Sequence, residues 1–356
     1  MPAPGRLADD GCSLETDPRT DPRIVDALRP FGLHQQQPDI SITPASPRGE
    51  QLDYIRDTEA AFQTVFGAWT DGVSAVDGVQ SSQERIVGMD GNEVPLYIHR
   101  PVAAPGPLPC VVHLHGGGMT LLSATDTVYA HLRNELAGNG LVVVGVEFRN
   151  AGGKLGDHPY PAGLNDCVSA IRWASAHLDE LGASHVVIAG ESGGGNLVLA
   201  AAIRAKREGW LDEIAGVYAQ CPFVSNAYVD KPDYLQSMRE NDGYFINSVL
   251  FALLAEVYDP GSKNADDPAC WPLRAADDDL IGLPPHVVSV NELDPLRDEG
   301  LAMYRKLCRA GVSTTGRIVA GTPHGGDLLL PAAIPDVHAA SVRDLSGFAA
   351  SVSRGV

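Results

Sequence analysis

Residues 190–196 read Gly190-Glu191-Ser192-Gly193-Gly194-Gly195-Asn196, between "SHVVIA" (184–189) and "LVLAAAIRAKREG" (197–209). Among 38 glycines a G-x-S-x-G arises by chance in roughly one such chain in four, so the flanking sequence has to decide what it means. A β-branched apolar run directly before it and an apolar helical run directly after it put Ser192 on a sharp strand-to-helix turn, the arrangement of a nucleophile elbow. Strand and helix pass so closely in such a turn that the residues two before and two after the serine must be small. Gly190 and Gly194 fill both places. The serine then stands at a helix N-terminus, where free N–H groups and the helix dipole favour developing negative charge. The alternative is a plain glycine-rich bend.

Working outward, the runs 109–115, 141–148, 185–190, 216–223, 286–293 and 314–321 are β-rich, and helical patterns separate them. In 165–182, Val168, Ile171, Ala174 and Leu178 share a helix face and Gly182 is placed to stop the helix. This alternation predicts an α/β fold, a mostly parallel central sheet with right-handed crossovers and flanking helices. Ahead of it, 84–100 reads as a hairpin turning at Asp90-Gly91. Residues 1–80 differ, with Pro-rich stretches around two amphipathic patterns. One puts Ile24, Leu28 and Phe31 on a face, the other Leu52, Ile55, Phe62, Phe66 and Trp69. From about Ser225 to Pro272 the alternation breaks again, and 241–260 reads as a helix or helix pair. The expected organisation is therefore an N-terminal helical cap segment, 1–80, and a catalytic domain, 81–356, with a cap insertion at about 225–272. A plain extra helix layer is the alternative to a cap.

Composition narrows the partners. With 26 basic and 45 acidic residues the net charge is -19, which repels phosphate backbones and anionic lipid and argues against nucleic acid or a membrane surface. Six cysteines stand singly with no C-x-x-C pair, so buried free thiols are expected rather than a zinc or redox site. The start "MPAPGRLADDG" lacks a signal pattern, no apolar stretch reaches membrane-span length, and no N-x-S/T sequon occurs. A cytoplasmic protein is expected.

A serine hydroxyl is a poor nucleophile until a base takes its proton, so a histidine oriented by a carboxylate is required. His324 in "GTPHGGD" (321–327) follows the last predicted strand in a glycine-flanked loop, whereas His113 and His185 fall within strands and His177 within a helix. A surface histidine is the competing reading of residue 324. Asp294 in "VNELDPLRDEG" (290–300) lies just beyond the preceding strand; Asp298, one helical turn on, is its rival and reads better as a helix N-terminal charge. The chain order Ser192, Asp294, His324 is that of α/β hydrolases. In "HLHGGGM" (113–119), Gly116, Gly117 and Gly118 let backbone N–H groups approach a reacting carbonyl. With Gly193 N–H they would form an oxyanion hole, each donor contributing about 2.7–4 kcal/mol. His115 reads as a brace of that loop rather than a base. Met119, Leu121, Leu122, Tyr244 and Phe245 are candidates for a substrate pocket, with core packing the alternative.

These elements together resemble the hormone-sensitive-lipase family of α/β-hydrolase esterases: "HGGG" at 115–118, "GESGG" at 190–194, "DPLRDEG" at 294–300 and His324. Within it, "EFRN", "HPYPAG", "GESGGGN" and "NDGYF" look most like the brefeldin A esterase branch. The resemblance covers about 84–350. It implies Ser192, Asp294 and His324 as catalytic triad, Gly117, Gly118 and Gly193 as oxyanion donors, and a cap. It also implies hydrolysis of small or medium soluble esters, macrolactones among them, with no metal or organic cofactor. A homodimer is compatible with it. Where many relatives read "DYRLAPE" this chain has "EFRNAGGKLGD", and Glu191 and Gly193 replace the common Asp and Ala beside the serine. Two rival functions share the fold: a catalytically inactive small-molecule receptor, against which an intact His324 argues, and an amide hydrolase.

Overall fold

Apolar β-branched runs pair into one sheet in the computed structural model, which describes residues 4–104 and 106–352. The strands are β1 (Val79–Val87), β2 (Glu93–Pro101), β3 (Leu108–Leu114), β4 (Val142–Val146), β5 (Ala183–Glu191), β6 (Gly216–Gln220), β7 (His286–Asn291) and β8 (Thr314–Val319). Their spatial order is β1-β2-β4-β3-β5-β6-β7-β8. β2 runs antiparallel to both of its neighbours, and every pair from β4 to β8 is parallel. β4, β6 and β7 are buried along their whole length, as strands covered on both faces must be. β8, at the edge, is largely exposed or half-buried. The hairpin turns where expected, with Gly91 at φ 80°.

The longer helices are α1 (Pro22–Leu28), α2 (Arg48–Thr70), α3 (Thr127–Gly138), α4 (Ala162–Ala176), α5 (Gly193–Glu208), α6 (Ser248–Tyr258), α7 (Arg297–Arg309) and α8 (Pro335–Ser351). α5, packed on β5 and β6, is buried nearly all round, from Gly193 to Ile203 without interruption. Each Val or Leu it buries contributes about 1.5–3 kcal/mol. Among the described residues, no helix is long and apolar enough to cross a membrane.

Three local expectations are corrected. The single helix over 165–182 is two. α4 stops at Ala176, where the His177 ring donates from Nδ1 to the Trp173 carbonyl (2.8 Å), and a separate turn, Leu178–Leu181, ends at Gly182 with φ 67°. Phe31 is not on the α1 face, because Pro30 tightens the chain into a 3-10 turn after Leu28 and leaves Phe31 37% exposed. Within 241–260 only Ser248–Tyr258 forms a continuous helix. Phe245 sits at φ 68°, and the Asn247 side chain caps α6 by accepting from Leu250 N (2.8 Å).

Candidate active site

β5 ends at Glu191, α5 begins at Gly193, and Ser192 between them is held at φ 56°, ψ −115°. This is a left-handed conformation that an L-residue adopts only when its surroundings enforce it. The enforcing contacts are backbone: Ser192 N donates to the Gln220 carbonyl (2.9 Å) and Phe223 N to the Ser192 carbonyl (3.0 Å). The close passage also dictates the glycines. A Cβ on Gly194 would lie 1.8 Å from the Leu114 carbonyl oxygen, and one on Gly190 would lie 2.5 Å from that of Gly194.

The loops after β7 and β8 bring Asp294 and His324 to the same carboxyl edge. Ser192 Oγ is 2.9 Å from His324 Nε2, and His324 Nδ1 is 2.8 Å from Asp294 Oδ2. Because an ionised carboxylate only accepts, Nδ1 carries the proton and Nε2 is left to accept from the serine hydroxyl. Asp294 is fully buried, its second oxygen accepting from Leu296 N (2.8 Å). Asp298 is not part of this line: its carboxylate accepts from Ser237 N (2.8 Å) and Arg297 Nε (3.0 Å) in the first turn of α7.

The Gly116–Gly118 loop lies directly over the start of α5. A Cβ on Gly193 would meet Met119 N at 2.5 Å and Gly118 N at 2.7 Å. Gly117 and Gly118 take φ of 104° and 58°. The N–H groups of Gly117, Gly118 and Gly193 make no hydrogen bond among the described residues. His115 Nδ1 donates to the Gly116 carbonyl (2.8 Å) and its ring stacks on Phe148 at 4.2 Å; burial pushes its pKa down to about 3, so it is neutral.

Three side chains outside the sequence reading hold this assembly. Glu191 accepts from Gly116 N (2.8 Å) and from His113 Nε2 (3.0 Å), tying the elbow to the glycine loop. Asn291, at the end of β7, donates to Thr322 Oγ1 (2.7 Å) and Asp327 Oδ1 (2.8 Å) and accepts from Gly325 N (3.2 Å), bracketing His324. Asn241 donates to the carbonyls of Glu292 and Asp294, both at 3.1 Å. The only signal for the first two is their place: an acid inside the elbow motif and a polar residue closing an apolar strand; Asn241, just after a short helical turn, has none.

Ser192 and His324 open into an apolar cavity of about 60 Å³. α2 contributes Phe62 and Phe66, α6 and the residues before it Phe245, Leu250 and Leu254. Of the expected pocket residues, Leu121, Leu122 and Phe245 line it. Met119 and Tyr244 are buried elsewhere, Tyr244 donating to Asp17 Oδ2 (3.0 Å). Phe251 meets the His324 ring edge-on, at 5.6 Å and 77°. Among the described residues seven non-glycine residues take positive φ, and four of them (Leu122, Ser192, Cys221 and Phe245) line this cavity, so backbone strain is concentrated there.

A parallel sheet with a strained serine at the strand-to-helix turn, and histidine and carboxylate delivered by the following strand ends, is the construction of an α/β hydrolase. Residues 111–327 match the family profile of the alpha/beta hydrolase fold. The chain is 34% identical to carboxylesterase NlhH of Mycobacterium tuberculosis over 238 residues, 65% of this chain and 70% of that protein. Among solved structures it is similar to brefeldin A esterase, described as a bacterial homologue of human hormone sensitive lipase, with 43% identity, 98% of each chain covered and a TM-score of 0.94. Esterase Est22 follows at 36% identity, 95% of this chain and 99% of that one, TM-score 0.85. The chain belongs to the alpha/beta hydrolase fold family, in its hormone-sensitive-lipase group of esterases.

Proposed function

We propose that this carboxylesterase works through a Ser192–His324–Asp294 triad and an acyl-enzyme, on small or medium soluble esters with a short acyl group. Ser192 Oγ attacks the ester carbonyl as His324 Nε2 takes its proton, and Asp294 holds the imidazole in the tautomer that can do so. The N–H groups of Gly117, Gly118 and Gly193 stabilise the oxyanion, and His324 returns the proton to the leaving alcohol. Water, activated by the same base, then releases the acid. The observation that carries this reading is the unbroken hydrogen-bonded line from Asp294 through His324 to Ser192, at 2.8 and 2.9 Å. The small apolar cavity beside it favours short acyl chains. The N-terminal helices and the 225–272 insertion act as the cap that closes it.

Hydrolysis of a p-nitrophenyl ester series by the wild type and Ser192→Ala tests this. Turnover greatest on short chains is expected, with kcat lower by about 10⁶ in the variant. No turnover at any length by folded protein would favour the receptor reading. Faster cleavage of a matched amide would make the enzyme an amidase. A macrolactone turned over faster than every open-chain ester would name the lactones as its substrates.

A further inference from the structure

α3 presents His131 and Glu135 four residues apart, on one face, and α8 brings His338 against them. His131 Nε2 is 3.5 Å from Glu135 Oε2, and His338 Nε2 hydrogen-bonds the same oxygen. The two imidazoles stack with centroids 6.3 Å apart. One nitrogen of each histidine and the carboxylate oxygen all lie within 4.8 Å of one another. His338 is buried, while His131 and Glu135 are half-buried and reachable from solvent. His131 Nε2 is itself buried and makes no hydrogen bond among the described residues. His338 Nδ1 donates to the Asp327 carbonyl (2.9 Å), the outer contact that commonly fixes a metal-binding imidazole with its other nitrogen toward the ion.

We propose that His131, Glu135 and His338 form a zinc site that clamps α3 to α8. Two imidazole nitrogens and one carboxylate oxygen suit Zn²⁺, and the half-exposed side leaves a fourth position for water. Calcium and magnesium prefer all-oxygen sets, and without a thiolate a softer ion gains nothing. Binding displaces the proton that His338 and Glu135 share, and that proton leaves to solvent. The clamp lies outside the substrate cavity. It reaches the His324 turn through Asp327, whose carboxylate accepts from Asn291 (2.8 Å) and Ser341 (2.6 Å). Its role is a brace. Cys221, Asp294 and His324 also gather within 4.8 Å, but an ion there would occupy the proposed base.

The test takes wild-type protein stripped by chelator, equilibrates it with ZnCl₂, removes free metal by dialysis, and counts zinc by mass spectrometry alongside the melting temperature. One zinc per chain and a raised Tm are expected. His131→Gln and Glu135→Gln should each weaken zinc binding by roughly 100-fold or more, beyond the 10–100-fold loss typical of an outer contact, abolish the rise in Tm, and leave metal-free ester hydrolysis unchanged. Cobalt loaded into the wild type should show four-coordinate nitrogen and oxygen ligation, which decides the matter even where a variant does not fold. Failure to retain zinc, zinc binding that survives both substitutions, or a thiolate-to-cobalt charge-transfer band would overturn the proposal.

Discussion

The two aspartates that follow β7 differ in what they touch, and that separates their roles. Asp294 is fully buried, 2.8 Å from His324 Nδ1. Asp298 is spent on Ser237 and Arg297. Asp294→Asn turns an acceptor into a group that can donate to the imidazole, so the ring flips to the tautomer that cannot accept from Ser192. A loss of about 10⁴ in kcat is expected by analogy with the triad aspartate of serine proteases. Asp298→Asn keeps its acceptor toward Ser237 and should leave kcat close to wild type. Steady-state kinetics on one ester ranks the two, and the reverse ranking would give Asp298 the orienting role. That Ser192, Asp294 and His324 meet at one sheet edge was legible because each sits at a fixed offset from a recognisable strand end. Glu191 and Asn291 were not, because their partners, Gly116 and Thr322, are neighbours only once β3, β5, β7 and β8 are aligned.

At the scale of elements, the sheet was legible because buried parallel strands are continuous apolar runs, and the errors lie where chain geometry departs from periodicity. β6 stops at Gln220 rather than 223 because Cys221 takes φ 33° and Pro222 has no N–H to donate. The apolar faces of the two N-terminal helices were legible, but not what ties that segment to residues 225–272. The fastening is ionic: Glu240, 3% exposed, accepts from Arg297 Nη1 and Nη2, both at 2.8 Å, and from Arg19 of the N-terminal segment, itself paired with Asp17 at 2.7 Å. Glu240→Ala leaves two shielded guanidinium groups short of a partner, and a loss of about 3 kcal/mol is expected. The pair Arg56 with Asp53 has side chains 50% and 72% exposed, so Arg56→Ala should change stability by less than about 0.5 kcal/mol. Urea unfolding of both variants checks this; equal losses would mean that Glu240 does not fasten the cover.

For the whole molecule, acid sets two effects against each other. The net charge is -19 and the pI about 4.8, so acidification toward the pI relieves self-repulsion and by itself would stabilise the fold. Buried imidazoles act in the opposite direction. Burial lowers the pKa of His115 to about 3 and of His286 to about 4, from 6.5. Between pH 6.5 and 4 the unfolded chain takes up protons at these sites and the folded chain does not, so their contribution is complete above 6.5 and drains away as pH falls. His338 has the opposite sign: burial lowers its pKa, but Glu135 outweighs burial and raises it, so its contribution is present below 6.5 and lost as pH rises. Two fully buried sites with shifts of this size amount to several kcal/mol, on the order of the whole stability of a domain. Glu299, whose pKa burial raises well above 4.5, acts with the surface charge and gains stability as pH falls, but it is one site against two imidazoles, so urea unfolding should show stability falling from pH 7 to 5. His286→Gln should flatten that slope, and in the wild type the proton resonances of both rings should stay unshifted across the same range. A stability that rises toward the pI, or an unchanged slope in His286→Gln, would mean that surface charge, not the buried histidines, governs the response to acid.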